Sequence, residues 1–418
     1  MPSQGIPGSP RRAGHGIIRD MVEEAGDRPS QAVREPIRVL FLIDHLNRER
    51  GGAENQAFLL LANMPRERIA MRLACFDGRA EDFQSLAAAG VEVDLLPAPS
   101  RGTWPIAVLG KVAGIVRRHR IDAVQAFLPT LDILAPFARI RSPRLRVATS
   151  RRCLDEYLRP RHLKLLRQTG WLAHAIVANS RAVADSVLRM EGNVGARLRV
   201  IPNALPPCPP IEAGERAAAR RRFGVADEDF VVAYPAHFRD KKGHRYLPEV
   251  AGRLAAHHPS ARILVAGDTT SDSECRRNSA ALAAAIEEGL LGDHLRSLGL
   301  LPSIRPLLAA ADVALNLSDL EGMSNTVMEA MALGLPTVAT AVGGTPELID
   351  DGAEGWLISR GDVAGAADYL AQIASDPEQG SRMGVAARAR IARDFSVARL
   401  TDSYASLYES LVKPRRTD

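Results

Sequence analysis

The chain has 418 residues, 46% hydrophobic and 25% charged, the balance of a soluble, well-cored protein long enough for two ordinary domains. Its 54 lysines and arginines stand against 49 acids, with both signs mixed along the chain and aromatics at only 5%; a nucleic-acid partner, which calls for a basic stripe beside stacking aromatics, is disfavoured. The four cysteines, Cys75, Cys153, Cys208 and Cys275, are far apart and form no CxxC, which argues against a zinc site or a disulfide framework and fits a reducing, cytoplasmic setting.

Residues 1–36 are rich in Pro, Gly, Ser and charge, lack the apolar run of a signal peptide, and are predicted to be a disordered extension. No stretch of about 18 apolar residues follows, so no membrane span is expected. Order is predicted to begin at IRVLFLID (37–44), an apolar run typical of a strand buried on both faces. After it, DHLNRERGGAENQ places Gly51 and Gly52 before a helical segment, NQAFLLLANM. Adjacent glycines let a backbone approach a phosphate or sugar, although a plain turn has the same appearance. No GxGxxG follows, which disfavours an NAD site.

Further strands are predicted at 122–128, 146–150 and 175–180. Between the last two lies RRCLDEYLRPRHLKLLRQTGW (151–171), basic and partly amphipathic. It suits either a solvated helix face or an anionic membrane surface. The segment VIPNALPPCPPIEAGE (200–215) carries five prolines, which fix the backbone and remove ladder donors, so a domain boundary is placed there. Strands resume at 230–236, 262–268, 312–318 and 336–341, with a helical segment RYLPEVAGRLAAHH among them. This alternation predicts two doubly wound, Rossmann-like α/β domains facing a cleft, with ligands outside the carboxyl ends of the strands.

Two strand ends carry charge. AHFRDKKGHR (236–245) displays Arg239 and Lys242, with Lys241 as an alternative, where a phosphate could be met. SDLEGMSNTVMEAMALG (318–334) places Glu321 in a loop and Glu329 in the first turn of a helix ending near Gly334. Thr326 and Glu329 have capping-box spacing; alternatively the free amides from Gly322 to Thr326 receive an anion while the two acids accept sugar hydroxyls.

With its E-x7-E pair, Glu321 and Glu329, continued by EAMALGLPTVATAVGGTPELIDDGAEGWLI, the chain resembles the retaining glycosyltransferases of family 4. The likeness runs over about residues 37–412 and is strongest over 228–360. It implies a GT-B fold: an acceptor-side domain at 37–205, a nucleotide-sugar domain at 206–394, and a helix at 395–418 crossing back to the first domain. It also implies that Glu329 holds ribose hydroxyls, while Glu321 and the Gly322, Met323, Ser324 and Asn325 backbone hold the donor sugar. Arg239 and Lys242 would neutralise the diphosphate without a metal or other cofactor, making Glu321, Arg239 and Lys242 the catalytic set, and Gly51 and Gly52 would approach from the opposite domain. The donor implied is a UDP- or GDP-sugar and the acceptor a saccharide or lipid-linked sugar, as in surface polysaccharide or glycolipid synthesis, with possible contact with the inner face of the membrane.

Two departures stand out: Arg151 or Arg152 occupies the place of a frequent family histidine, and IPNG reads IPNA at Ala204. Arg151 and Arg152 are therefore candidates for holding an acidic or phosphorylated acceptor. A nucleotide-sugar epimerase of the same fold and a noncatalytic partner of another transferase are the competing functions.

Overall fold

The computed structural model describes residues 35–48, 51–98, 104–154, 160–192 and 194–412, and the described residues from Pro36 onward belong to one compact unit. The expected extension at 1–36, apart from Glu35 and Pro36, lies outside the described residues, as do 155–159 of the basic segment and the tail after 412.

Two wholly parallel sheets organise the chain. The first contains β1 (Ile37–Leu46), β2 (Ile69–Gly78), β3 (Glu92–Leu95), β4 (Ala123–Phe127), β5 (Arg146–Arg151), β6 (Ala175–Ala178) and β7 (Leu198–Val200), in the order β3-β2-β1-β4-β5-β6-β7. The second contains β8 (Phe230–Pro235), β9 (Ala261–Ala266), β10 (Leu295–Ser297), β11 (Val313–Asn316), β12 (Thr337–Thr340) and β13 (Gly355–Ile358), ordered β10-β9-β8-β11-β12-β13. Strand order reverses between β1 and β4 and again between β8 and β11. At such reversals the loops leave in opposite directions and open a crevice.

Central strands are largely apolar because helices cover both faces. Val39, Phe41 and Ile43 of β1 join one core with Ala57, Leu60 and Leu61 of helix Gly52–Asn63. Leu40 and Leu42 point the other way, into Val108, Val112 and Ile115 of helix Trp104–Arg118. In β8, Val232 and Tyr234 meet Val250 and Leu254, while Val231 and Ala233 meet Leu307 and Leu308. The period-two alternation of a strand thus feeds two cores at once.

All eight strands expected from the sequence are present, and β2, β3, β7, β10 and β13 are additional. Strand β2 is interrupted by Arg72, whose charge is met on the neighbouring edge strand by Glu92 at 2.6 Å and Asp94 at 2.5 Å. The other four have three or four residues each and are the edge strands of the two sheets.

The proline-rich segment carries the chain from one sheet to the other, and 395–396 carries it back. These crossings lie side by side, with the Leu205 N–H donating to the Phe395 carbonyl at 2.9 Å. The returning helix Val397–Leu411 is started by Ser396, whose hydroxyl accepts from the Arg399 N–H at 3.4 Å. Its Leu400, Tyr404 and Tyr408 enter the β1 core. Arg68 ties its outer face through Asp402 at 2.6 Å and Glu409 at 2.8 Å.

Tyr408 is fully buried. Replacing it with Ala removes an aromatic ring from a packed core, so Tyr408→Ala should cost about 3–5 kcal/mol in urea unfolding. A loss below about 1 kcal/mol would show that the returning helix is not seated in that core.

Candidate functional site

A cavity of about 770 Å³ lies at the carboxyl ends of both sheets, within the size range of small-ligand sites. Its walls follow strand ends: Arg48, Gly51 and Gly52 after β1, Arg79 after β2, Arg152 after β5, Asn179 after β6 and Asn203 after β7. From the second sheet come Ala236, His237 and Lys242 after β8, Gly267 after β9, Leu300 to Arg305 after β10, and residues of 321–329 after β11.

Lys242 and Glu321 form an ion pair there although they are 79 residues apart. Two backbone ties hold their loops: the Asp319 N–H donates to the Lys241 carbonyl at 2.7 Å, and the Tyr234 hydroxyl donates to the Lys242 carbonyl. Buried Asp319 braces the turn by accepting from Arg245 at 2.6 Å, Arg360 at 2.8 Å and the Tyr246 hydroxyl at 3.0 Å. Gly243 has φ +74°, and a Cβ there would strike the Leu317 carbonyl, so both conformation and space require glycine.

Glu321 is only 7% exposed. Burial alone would raise its carboxyl pKa, but the Lys242 charge and hydrogen bond, with the Ser318 hydroxyl at 2.8 Å, hold it below the ordinary value. It is a satisfied, ionised carboxylate.

The capping box does not form. Helix Asn325–Ala332 starts after Ser324, with no side-chain cap, so Thr326 lies inside the helix rather than before it. Among the described residues, the N–H groups of Gly322, Met323, Ser324, Asn325 and Thr326 find no protein acceptor. Met323, Ser324, Asn325 and Thr326 line the cavity, placing unsatisfied donors and the positive end of a helix beside Lys242. Gly322 sits behind them, against the Arg152 carbonyl.

Glu329 faces the same cavity with no hydrogen bond or ion pair to its side chain among the described residues. Burial pushes its carboxyl up to about 7. Unlike Glu321, it is a desolvated acid awaiting a partner.

Polar contacts cross the cleft from the first sheet. Asn325 donates from Nδ2 to the Gly52 carbonyl at 3.1 Å, and its Oδ1 accepts from Asn203 at 2.6 Å. Arg152 continues this chain, donating to Asn203 at 2.5 Å. Beyond it, Glu347 accepts from the Arg181 N–H at 2.7 Å at the start of helix Arg181–Glu191.

Of the residues singled out in the sequence, Gly51, Gly52, Lys242, Glu321, Met323, Ser324, Asn325, Glu329 and Arg152 line one cavity. Arg239 does not line it: its guanidinium meets Asp272, and Glu274 at 2.9 Å, at the start of helix Ser273–Glu288. Lys241 is also outside the lining. Arg151 is 4% exposed and held by Glu191 at 2.5 Å and Asp132 at 3.4 Å. Arg152 stacks 4.5 Å over Phe127, and its Nε and Nη1 have no hydrogen-bond partner among the described residues. Sequence reasoning missed His237, Asn179 and Asn203, for which position just past a strand end is the only signal.

Residues 215–390 match the family model described as glycosyl transferases group 1, and 50–207 match that described as glycosyltransferase family 4. The chain is 31% identical over 201 residues to a putative glycosyltransferase, EpsD, of Bacillus subtilis, covering 48% of this chain and 51% of that protein. It is 32% identical over 209 residues to D-inositol 3-phosphate glycosyltransferase of Mycobacterium avium, covering 49% and 47%. The chain thus spans about half the length of the curated relatives it matches. Among solved structures, Alr3699/HepE of Anabaena in complex with UDP and glucose superposes with a TM-score of 0.76 at 22% identity, covering 90% of this chain and 100% of that one. WaaG, a glycosyltransferase involved in lipopolysaccharide biosynthesis, gives 0.67 at 17%, covering 89% and 99%. These likenesses assign the two-domain GT-B fold.

The raised Glu329 carboxyl has a consequence for stability. Between about 4.5, its ordinary value, and about 7, the folded chain keeps a proton that the unfolded chain has lost, so stability falls as pH rises through that window and stays lower above it. Glu329→Gln should therefore be more stable than the parent by about 1–3 kcal/mol at pH 8, with the gain vanishing near pH 4. Urea unfolding at both pH values checks this; a pH-independent difference would contradict the burial of an unpartnered acid.

Proposed function

Because the chain belongs to the group 1, family 4 glycosyltransferases, we propose that it moves a sugar from a nucleoside diphosphate sugar to a saccharide or lipid-linked acceptor, with retention of anomeric configuration. The observation carrying this reading is one cavity that combines a lysine, a row of unsatisfied amides, a satisfied carboxylate and an unsatisfied one. Lys242 and the amides of 323–326 suit the diphosphate, where negative charge grows as the leaving group departs. These groups supply positive charge without a metal, and no other cofactor enters this reading.

Glu329, half-buried and without a side-chain partner among the described residues, suits the vicinal hydroxyls of a ribose. A phosphate drawn to Lys242 would free Glu321 to accept sugar hydroxyls. In the transfer, the bond from the anomeric carbon to the phosphate oxygen breaks and a bond to the acceptor oxygen forms on the same face; the acceptor proton passes to the departing phosphate. Of the two arginines considered for an anionic acceptor, Arg151 is neutralised by its own acids, and the reading therefore rests on Arg152.

Metal-free incubation of the protein with UDP- and GDP-sugars and oligosaccharide or lipid-linked acceptors tests this proposal. One donor should release its nucleoside diphosphate only when acceptor is present, and Lys242→Ala should lower kcat about 10²–10³-fold. Conversion of the donor sugar without acceptor would indicate an epimerase. Nucleotide binding without turnover of any pair would favour a noncatalytic partner.

We also infer a peripheral membrane contact. No helix among the described residues is long and apolar enough to cross a membrane, but helix Pro160–Thr169 exposes Arg161, Lys164 and Arg167, with Leu165 and Trp171 also exposed beside them. Cations around exposed apolar side chains suit an anionic lipid surface. The protein should co-sediment with phosphatidylglycerol vesicles at low salt, and combined Arg161→Ala and Lys164→Ala changes should weaken binding several-fold. Failure to bind at low salt would leave only a solvated helix face.

A further inference from the structure

With Arg239 turned toward Asp272 and Glu274, the cleft beside Lys242 is completed by His237, two residues beyond β8. Its side chain is exposed and lines the cavity with Lys242 and Gly267. The backbone around it is fixed to the end of β9: the Ala236 N–H donates to the Ala266 carbonyl at 2.8 Å and the Phe238 N–H to the Asp268 carbonyl at 3.1 Å. Gly267 permits that approach, since a Cβ there would collide with the Ala236 carbonyl.

The ring is fixed as well. The backbone N–H of Asp268 donates to His237 Nδ1 at 3.1 Å. A nitrogen that accepts this bond carries no proton, so the neutral ring bears its proton on Nε2. Nε2 has no protein partner among the described residues.

Protonating Nδ1 would set one donor against another. The charged groups facing the ring are the Asp268 carboxylate and the Lys242 and Arg239 cations. The Asp268 carboxylate is already engaged by the Thr270 N–H at 2.9 Å and the Ser271 N–H at 3.0 Å. Although one edge of the ring is open to solvent, desolvation by the surrounding cleft wall outweighs the pull of Asp268 and, with the two cations, holds the imidazole below its ordinary range.

We propose that His237 is a second anchor for the donor diphosphate, acting as a neutral imidazole locked in one tautomer that donates its Nε2–H to a phosphate oxygen beside Lys242. This rests on the donor site proposed above. It differs from that site's sequence-based version in kind: the phosphate meets one permanent cation and one oriented neutral donor rather than two cations. A neutral donor orients an oxygen while adding no charge that would retain the departing diphosphate.

The test is calorimetry at pH 8 with UDP and GDP on the full chain, together with nitrogen NMR of protein labelled at histidine. His237→Asn keeps an oxygen able to accept from the Asp268 N–H but has no group at the Nε2 position. It should bind the preferred diphosphate roughly 10- to 100-fold more weakly. His237→Arg, which restores a donor and adds charge, should recover most of that loss. The NMR spectrum should show Nδ1 unprotonated and Nε2 protonated between pH 6 and 8, with the Nε2 proton shifting when the diphosphate is added. Unchanged affinity in His237→Asn, equal losses in Asn and Arg variants, or a proton on Nδ1 would overturn the assignment while leaving the donor site intact. If the parent protein bound neither diphosphate, the donor site itself would fall and His237's role with it.

Discussion

The pairing of β8 with β11 is the constraint on which the site depends. These strands are neighbours in the sheet but separated by β9 and β10 in the chain, and the loops leaving them diverge. Lys242 follows one and Glu321 the other, so their contact is a product of topology. A parallel sheet places all its strand ends on one edge, and a reversal of strand order leaves a gap between loops where a ligand can enter. The first sheet repeats the arrangement at β1 and β4, which is why Gly51 and Gly52 reach the same cavity from the other side.

The two glutamates show how one short segment acquires different electrostatics. Glu321 lies in a loop within reach of Lys242 and Ser318 and stays ionised. Glu329 lies one turn into the helix, beyond both partners, and burial acts on it unopposed. Leaving an acid in that condition weakens the fold at neutral pH, a cost that a hydroxyl-bearing ligand would offset. The cleft itself is spanned by hydrogen bonds among Asn325, Gly52, Asn203 and Arg152. With the two chain crossings tied at Leu205 and Phe395, these bonds tether the walls against one another at the cleft and at its base.

Much of this was legible in the residues. Strands buried on both faces announce themselves as continuous apolar runs, and eight of them were readable as such. The edge strands β3, β7, β10 and β13 were not, because each is a short piece at a sheet margin, and β2 was hidden by an arginine whose partners belong to another strand. At the site, residue type and nearness to a strand end were sound guides to Lys242, Glu321 and Glu329. They failed where side-chain direction decides: Arg239 and His237 lie two residues apart after β8, and only the packing of Asp272 and Glu274 shows which turns away. Arg151 and Arg152 are adjacent in sequence, yet Glu191 and Asp132, distant in sequence, neutralise the first alone. Thr326 and Glu329 had the spacing of a capping box, but the helix begins at Asn325 and leaves its amides free.

The most direct measurement of the central claim is a crystal structure of the protein with a bound nucleoside diphosphate. The phosphates should lie between Lys242, His237 and the amides of 323–326, with both ribose hydroxyls on Glu329. A nucleotide bound elsewhere, or in this cleft with its ribose turned away from Glu329, would contradict the account.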